Sequence, residues 1–307
     1  SMRTRLFEGS TMPETVAYGR AATRSAGPLI VVALLAVASL TVAFLGASPA
    51  PVSARELMGA TRDPGEAAFV ASHRGDADAA PENTLPAVRA AIAAGFDYVE
   101  VDVALTRDGG AVLMHDATVD RTTNGFGRLS QLSLADVRSL DAGGWFGPAF
   151  VGTQVPLVEE FLDVLAASES RALVELKGEW TPEAVAHLVA QIEARGMERR
   201  VAVSSFDARS LALVASASDV ISRLAILRAL PGDVVGAARS LGVRGVMVKG
   251  SAVIARPEIV DDLHAAGIRV VVYTFNEDRE WREAIDIGVD GIVTDRPGTL
   301  ASWLASS

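Results

Sequence analysis

The polar residues inside apolar runs are where this sequence could do chemistry. In "YVEVDVALT" (residues 98–106), Glu100 and Asp102 stand two apart, so in a strand they share one face while Val99, Val101 and Val103 take the other. Two carboxylates side by side on a buried face repel each other, so either one holds a proton or a cation lies between them. Glu175 supplies a third carboxylate from another short apolar run, "LVELKG", with Lys177 two residues on. Three hard oxygen donors in a chain without cysteine suit Mg²⁺ or Ca²⁺, with water and substrate oxygens completing the shell. The plainer alternative is a buried salt bridge joining Glu175 or Glu100 to Lys177 or to an arginine.

The chain has four histidines, and they divide evenly. His187 and His264 fall within helical patterns and read as ordinary helix residues. His73, followed by Arg74, comes where the apolar run "AAFVA" stops, and His115, followed by Asp116, ends "AVLMHD". A strand covered by helices has no solvent-facing side for a charge, so such residues belong at strand ends. Two histidines at one mouth, near three carboxylates, are suited to general base and general acid work.

Lysine usage adds an independent argument, because arginine supplies 26 of the 28 basic side chains and lysine only Lys177 and Lys249. Both lysines end expected strands, where a compact ammonium differs from a planar guanidinium in shape and hydration. Softer candidates are Glu82, which precedes the cap candidates Asn83 and Thr84, and the aromatics Tyr273, Phe206, Phe275 and Trp145. "GVDGIVTDRPG" (residues 288–298) lacks a glycine-rich phosphate cradle, and its Asp295 reads as a helix cap.

These side chains need a frame, and the periodicity provides one. Short β-branched runs at 69–73, 98–104, 172–176, 201–205, 222–226, 245–249, 269–274 and 291–294 alternate with amphipathic stretches such as "TPEAVAHLVAQIEARG". Several of those stretches open with proline and close on glycine, as helices do. Eight strand–helix units predict a (β/α)8 TIM barrel over residues 67–305, with its site at the C-terminal strand ends. A doubly wound open sheet is the competing architecture. The interval 105–156 is too long for a βα connection and reads as a small insertion after strand 2, with one extra β-like piece at 111–116.

Residues 29–47, "LIVVALLAVASLTVAFLGA", form an uncharged apolar run long enough to cross a bilayer. The basic tail at 1–28 carries Arg3, Arg5, Arg20 and Arg24, which orients that tail to the cytoplasm and the rest of the chain outside. The segment is expected as a retained transmembrane anchor or a signal h-region, with small residues at 48–54 that a peptidase could cut and a linker over 48–66. The net charge of -10 argues against nucleic acid as a partner, and an anionic substrate would need locally placed cations.

Taken together, "SHRG", "ENTLPAV", "GFDYVEVDVALTRDGGAVLMHDATVDRTTNG", "LVELKG", "VVVYTFN" and "GVDGIVTDRPG" resemble the glycerophosphodiester phosphodiesterase family, over essentially all of residues 69–300. The resemblance implies a barrel that hydrolyses glycerophosphodiesters to glycerol 3-phosphate and an alcohol with a divalent cation, Ca²⁺ or Mg²⁺. It implies Glu100, Asp102 and Glu175 as metal ligands, His73 and His115 as the acid–base pair, and Arg74 and Lys177 as phosphate holders. Lys249 matches no family motif, and Tyr273 stands where the family usually shows tryptophan. A lysophospholipase D or sphingomyelinase D-like activity, and a non-catalytic binder of phospholipid headgroups, are the rival readings.

Overall fold

The computed structural model describes residues 50–306. The basic tail, the apolar run 29–47 and the start of the small-residue segment lie outside the described residues. Among the described residues, no helix is long and apolar enough to cross a membrane.

Among the described residues, nine strands form one sheet: β1 (Phe69–Ser72), β2 (Tyr98–Leu105), β3 (Ala111–Leu113), β4 (Arg171–Leu176), β5 (Val201–Ser205), β6 (Ser222–Leu227), β7 (Gly245–Lys249), β8 (Arg269–Tyr273) and β9 (Gly291–Thr294). All but β3 pair in parallel, and β1 bonds to both β9 and β2, which closes the eight into a barrel. Eight outer helices follow the eight barrel strands in turn, from Leu85–Ala94 after β1 to Pro297–Ser306 after β9. The expected βα alternation is therefore present, and the open sheet is excluded by the β1–β2 pairing.

The alternation of side chains along β2 explains two separate cores. Val99, Val101 and Val103 point outward into the layer between barrel and helices, together with residues such as Val174 and Val203. Tyr98 points inward and meets Leu173, Leu224, Met247, Val271 and Val293 in the lower barrel interior. Glu100 and Asp102 share the parity of Tyr98, so they continue the inward row toward the C-terminal mouth.

The stretch expected as linker is not free chain. Ser53 caps a short helix, Ala54–Met58, by accepting from Glu56 N. Val52, Leu57 and Met58 are buried among the interior residues. Val52 N donates to Val220 O at 3.1 Å, Ser222 Oγ donates to Val52 O at 3.2 Å, and the Tyr98 hydroxyl donates to Leu57 O. This segment closes the N-terminal end of the barrel with apolar side chains and satisfied backbone groups.

The insertion after β2 adds an antiparallel strand, β3, outside the ring, and a short helix, Leu134–Arg138, whose Ser133 forms a capping box with Asp136. It has an apolar cluster of its own around Val112, Met114, Val119, Leu129, Val137 and Val155. β3 stops at Leu113, so His115 and Asp116 stand beyond the ladder and free of its pairing constraints.

Candidate active site

Register brings the carboxylates together. Asp102 on β2 pairs with Glu175 on β4, and Glu100 lies one inward position below. Oxygens of Glu100, Asp102 and Glu175 lie within 4.8 Å of one another. Two of them, Asp102 Oδ1 and Glu175 Oε1, are buried without a hydrogen-bond partner. Oxygens on opposite sides of a Ca²⁺ ion are about 4.6–5.2 Å apart, twice the usual bond length, so the cluster has the size and the hard-donor chemistry of a divalent-cation site. One ammonium, Lys177, stands near both of these oxygens, and a divalent cation among the three carboxylates would compensate their buried charge more fully.

The electrostatics of the three differ. Burial, then the charges of Asp102 and Glu175, pushes Glu100 well above the ordinary carboxylate range. Burial, then Asp102, raises Glu175 to about 7 against the opposing pull of Lys177. Burial acts upward on Asp102 too, yet Arg74, Lys177 and the two histidines outweigh it and hold that carboxyl below its usual value. Asp102 is thus the carboxyl of the three whose charged form its neighbours favour, while burial and mutual repulsion favour the protonated forms of Glu100 and Glu175.

Arg74 and Lys177 flank the cluster. Lys177 Nζ is 2.8 Å from Glu175 Oε1 and 3.6 Å from Asp102 Oδ1, an ion pair without hydrogen-bond alignment to Glu175. Arg74 Nε is 3.3 Å from Asp102 Oδ2, and Arg74 Nη1 donates to Glu82 Oε1 at 2.7 Å. The backbone that places Arg74 is unusual, with φ at 58°. It is pinned because Arg74 N donates to Glu100 Oε2 and Gly75 N to Glu100 O, both at 2.9 Å. Gly75 has φ at 84°, and a Cβ there would lie 2.7 Å from the Ala87 carbonyl carbon, so the His-Arg-Gly sequence needs its glycine for close approach to the following helix.

The two histidines are each held through Nδ1. His73 lies 2.5 Å from Asp295 Oδ1, and Asp295 Oδ2 accepts from Asn276 Nδ2 at 2.7 Å. Asp295 is therefore not the cap that the sequence suggested. Burial would raise its carboxyl, but the bonds to His73 and Asn276 bring it down to about 2. His115 Nδ1 lies 2.6 Å from Asp116 Oδ1. With Nδ1 engaged, Nε2 is the ring nitrogen left for proton transfer in both cases. Burial lowers His115 from its ordinary value.

Both histidines, Arg74, Lys177, Glu100 and Glu175 line one pocket of about 260 Å³, which Phe206, Arg228 and Tyr273 also line. Tyr273 and Phe206 meet edge to face at 6.2 Å, and the Tyr273 hydroxyl donates to Leu227 O. A second cavity of about 600 Å³ lies between the insertion and the segment after β4, and His115 and Lys177 line this one as well.

Other expected residues fall elsewhere. Lys249 ends β7 exposed and is not among the residues lining either cavity. Phe275 is buried in the outer core, and Trp145 lies in the insertion, half exposed, donating to Ala142 O. His187 and His264 are on outer helices, paired with Glu159 and Asp290. Glu82 is at the mouth, where it binds Arg74 and Arg121.

Four residues were missed by the sequence reading. Asp295 and Asn276 position His73. Asn83, read as a cap candidate, instead donates to Asp102 Oδ2 at 2.8 Å and accepts from Asp102 N, while Thr84 caps the helix. Arg228 stacks its guanidinium 4.2 Å above the Phe206 ring. A third basic group in the pocket was the one signal available, since an arginine one residue beyond a strand repeats the Lys177 pattern.

A parallel barrel with carboxylates, basic groups and two histidines at its C-terminal mouth is the architecture of a barrel hydrolase. The chain belongs to the glycerophosphoryl diester phosphodiesterase family, whose model matches residues 73–299, and is by that membership a phosphoric diester hydrolase. It is 33% identical over 234 residues to a glycerophosphodiester phosphodiesterase of Caldanaerobacter subterraneus subsp. tengcongensis, covering 76% of this chain and 96% of that protein. A glycerophosphodiester phosphodiesterase of Bacillus altitudinis is 32% identical over 235 residues, covering 74% and 94%. Among solved structures, a phosphodiesterase of Oleispira antarctica in complex with the product sn-glycerol-3-phosphate superposes with a TM-score of 0.70 at 27% identity, covering 77% of this chain and 96% of that one.

Proposed function

We propose that this chain hydrolyses glycerophosphodiesters with a divalent cation, Ca²⁺ or Mg²⁺, held by Glu100, Asp102 and Glu175, and releases glycerol 3-phosphate and an alcohol. The observation that carries the metal dependence is the convergence of three buried carboxylates within 4.8 Å of one another, where Lys177 is the neighbouring cation of Asp102 Oδ1 and Glu175 Oε1 and neither oxygen has a hydrogen bond. A bound cation would offset charge on the phosphate's non-bridging oxygens. Arg74 and Lys177 would bind the same anion, in a chain whose overall charge repels it. Arg228, above the Phe206 ring that also lies 5.8 Å from Lys177 Nζ, would add a third basic group for the anionic substrate.

His73, fixed by Asp295, serves as the base that takes the proton of the nucleophile, either water or the neighbouring glycerol hydroxyl. His115 serves as the acid, because it stands between the two cavities and so beside the oxygen that leaves when the substrate spans them. The basic tail before the apolar run 29–47 supports the reading that the site works outside the cytoplasm. A second reading, phospholipase D-like cleavage of a lysophospholipid, has one observation in its favour, the size of the second cavity.

The deciding experiment follows, with the full chain and with and without chelator, release of glycerol 3-phosphate from a panel of glycerophosphodiesters and release of the headgroup alcohol, leaving lysophosphatidate, from a lysophospholipid. Turnover that stops in excess EDTA and returns with Ca²⁺ or Mg²⁺ is expected. Full turnover in excess chelator overturns the metal assignment, and preference for the lysophospholipid favours the second reading.

A further inference from the structure

Arg121 lies in the insertion, outside both cavities, yet its guanidinium joins the two halves of the mouth. Arg121 Nε donates to Asp116 Oδ2 at 2.6 Å, while Nη1 and Nη2 donate to the two oxygens of Glu82 at 2.7 and 2.8 Å. Asp116 turns its other oxygen to His115 Nδ1 at 2.6 Å, and Glu82 Oε1 also takes Arg74 Nη1. One side chain therefore saturates two carboxylates, each of which orients a different group at the pocket.

The insertion needs such a tie. His115 and Asp116 lie beyond the end of β3, where no ladder bonds fix them. Without Arg121, Asp116 would keep only its bond to His115 and Glu82 only Arg74, and the two carboxylates that now share one cation would lose the tie between them. A planar fork binds them with a geometry that a point charge cannot reproduce. The side chain is 47% exposed, so its ion pairs contribute little to global stability. Its worth lies in geometry.

We infer that Arg121 is a positioning residue that holds Asp116, and through it the His115 ring, in the orientation that delivers a proton to the leaving alcohol. The inference rests on the acid role given to His115 above. In that step the bond from phosphorus to the alcohol oxygen breaks and its electron pair stays on that oxygen. The proton on His115 Nε2 passes to it, while the nucleophile's oxygen bonds phosphorus and its own proton goes to His73. Only a poor leaving group needs the first of these proton transfers.

The test compares two substrates with the full chain, Arg121→Ala and Asp116→Asn: a glycerophosphodiester of an unactivated alkyl alcohol, and the p-nitrophenyl diester of glycerol 3-phosphate. Arg121→Ala is expected to lower kcat on the alkyl diester by about 10–100-fold, as loss of an outer partner does. On the p-nitrophenyl diester, whose phenoxide leaves unprotonated, the loss should be no more than about threefold. Any effect passed through Glu82 to Arg74 falls on both substrates equally, so the ratio of the two losses isolates the Asp116 branch. Asp116→Asn, which breaks that branch while Arg121 remains, should show the same ratio, and it carries the test if Arg121→Ala fails to fold. Equal losses on both substrates, or wild-type kcat on both, overturns the inference while leaving the proposed function standing. A wild-type chain inactive on both overturns the two together.

Discussion

The two ends of the barrel are built by opposite rules. At the N-terminal end, Leu57 and Met58 press against Tyr98, Leu224 and Met247, and the polar groups nearby are paired. At the C-terminal end, three carboxylates crowd together, two of their oxygens have no hydrogen bond, and Arg74 and Asn83 hold left-handed backbone angles of 58° and 54°. One strand serves both ends, since Tyr98, Glu100 and Asp102 are successive inward residues of β2. Stability and function are thus separated along the strand direction by about 3.3 Å per residue, so a change in one should be felt little in the other.

The sharpest way to break that separation is Glu100→Gln. Its carboxyl sits against two like charges in full burial, and the neutral amide can still accept from Arg74 N. The expected result is a loss of turnover on the order of 10³-fold, the several kcal/mol of transition-state stabilisation that a well-held cation supplies, with the urea midpoint unchanged or raised. A midpoint that falls with activity would show that the mouth also supports the fold.

Leu57→Ala asks the converse question. Removing that fully buried side chain should cost about 2–5 kcal/mol of unfolding free energy, read by urea titration, while kcat stays within about twofold because the cavity opens at the far end. A large drop in kcat at full folding would mean that the floor and the mouth are coupled.

The smallest effect is a pH dependence. Glu175 titrates near 7, above its unfolded value, so the metal-free chain binds an extra proton on folding between those values. That contribution is complete below the unfolded pKa and disappears as pH rises through about 7. Glu100, raised by the same causes, adds in the same direction, while the lowered His115 opposes them below 6.5, so without metal Tm should rise as pH falls from 8 to 6.5; saturating Ca²⁺, which competes with those protons, should flatten or reverse the slope. An identical slope with and without Ca²⁺ would remove Glu175 from the cation site.

Most of the frame was legible because each strand announces itself locally. Val201–Ser205, Gly245–Lys249 and Gly291–Thr294 are strands over the residues the β-branched pattern indicates. The inward row of β2 was legible for the same reason, since a period of two places Glu100 and Asp102 together without knowledge of any partner. What escaped was contact between distant segments. His73 and Asp295 are 222 residues apart, and nothing local to "TDRPG" distinguishes a helix cap from an imidazole partner. The role of 50–58 escaped too, because a five-residue helix has too short a pattern to reveal which surface it covers.

The pairing of β1 with β9 gives the His73–Asp295 contact a meaning in time as well as in space. The first barrel strand carries His73 at its end, and the last one leads directly into Asp295. During synthesis, the histidines, the three carboxylates, Arg74 and Lys177 all emerge before Gly291, yet β1 has no neighbour on its open side until the final strand arrives. Ring closure and completion of the His73–Asp295 pair are then one event, and a nascent or prematurely ended chain holds nearly every candidate site side chain without the contact that orients the His73 ring.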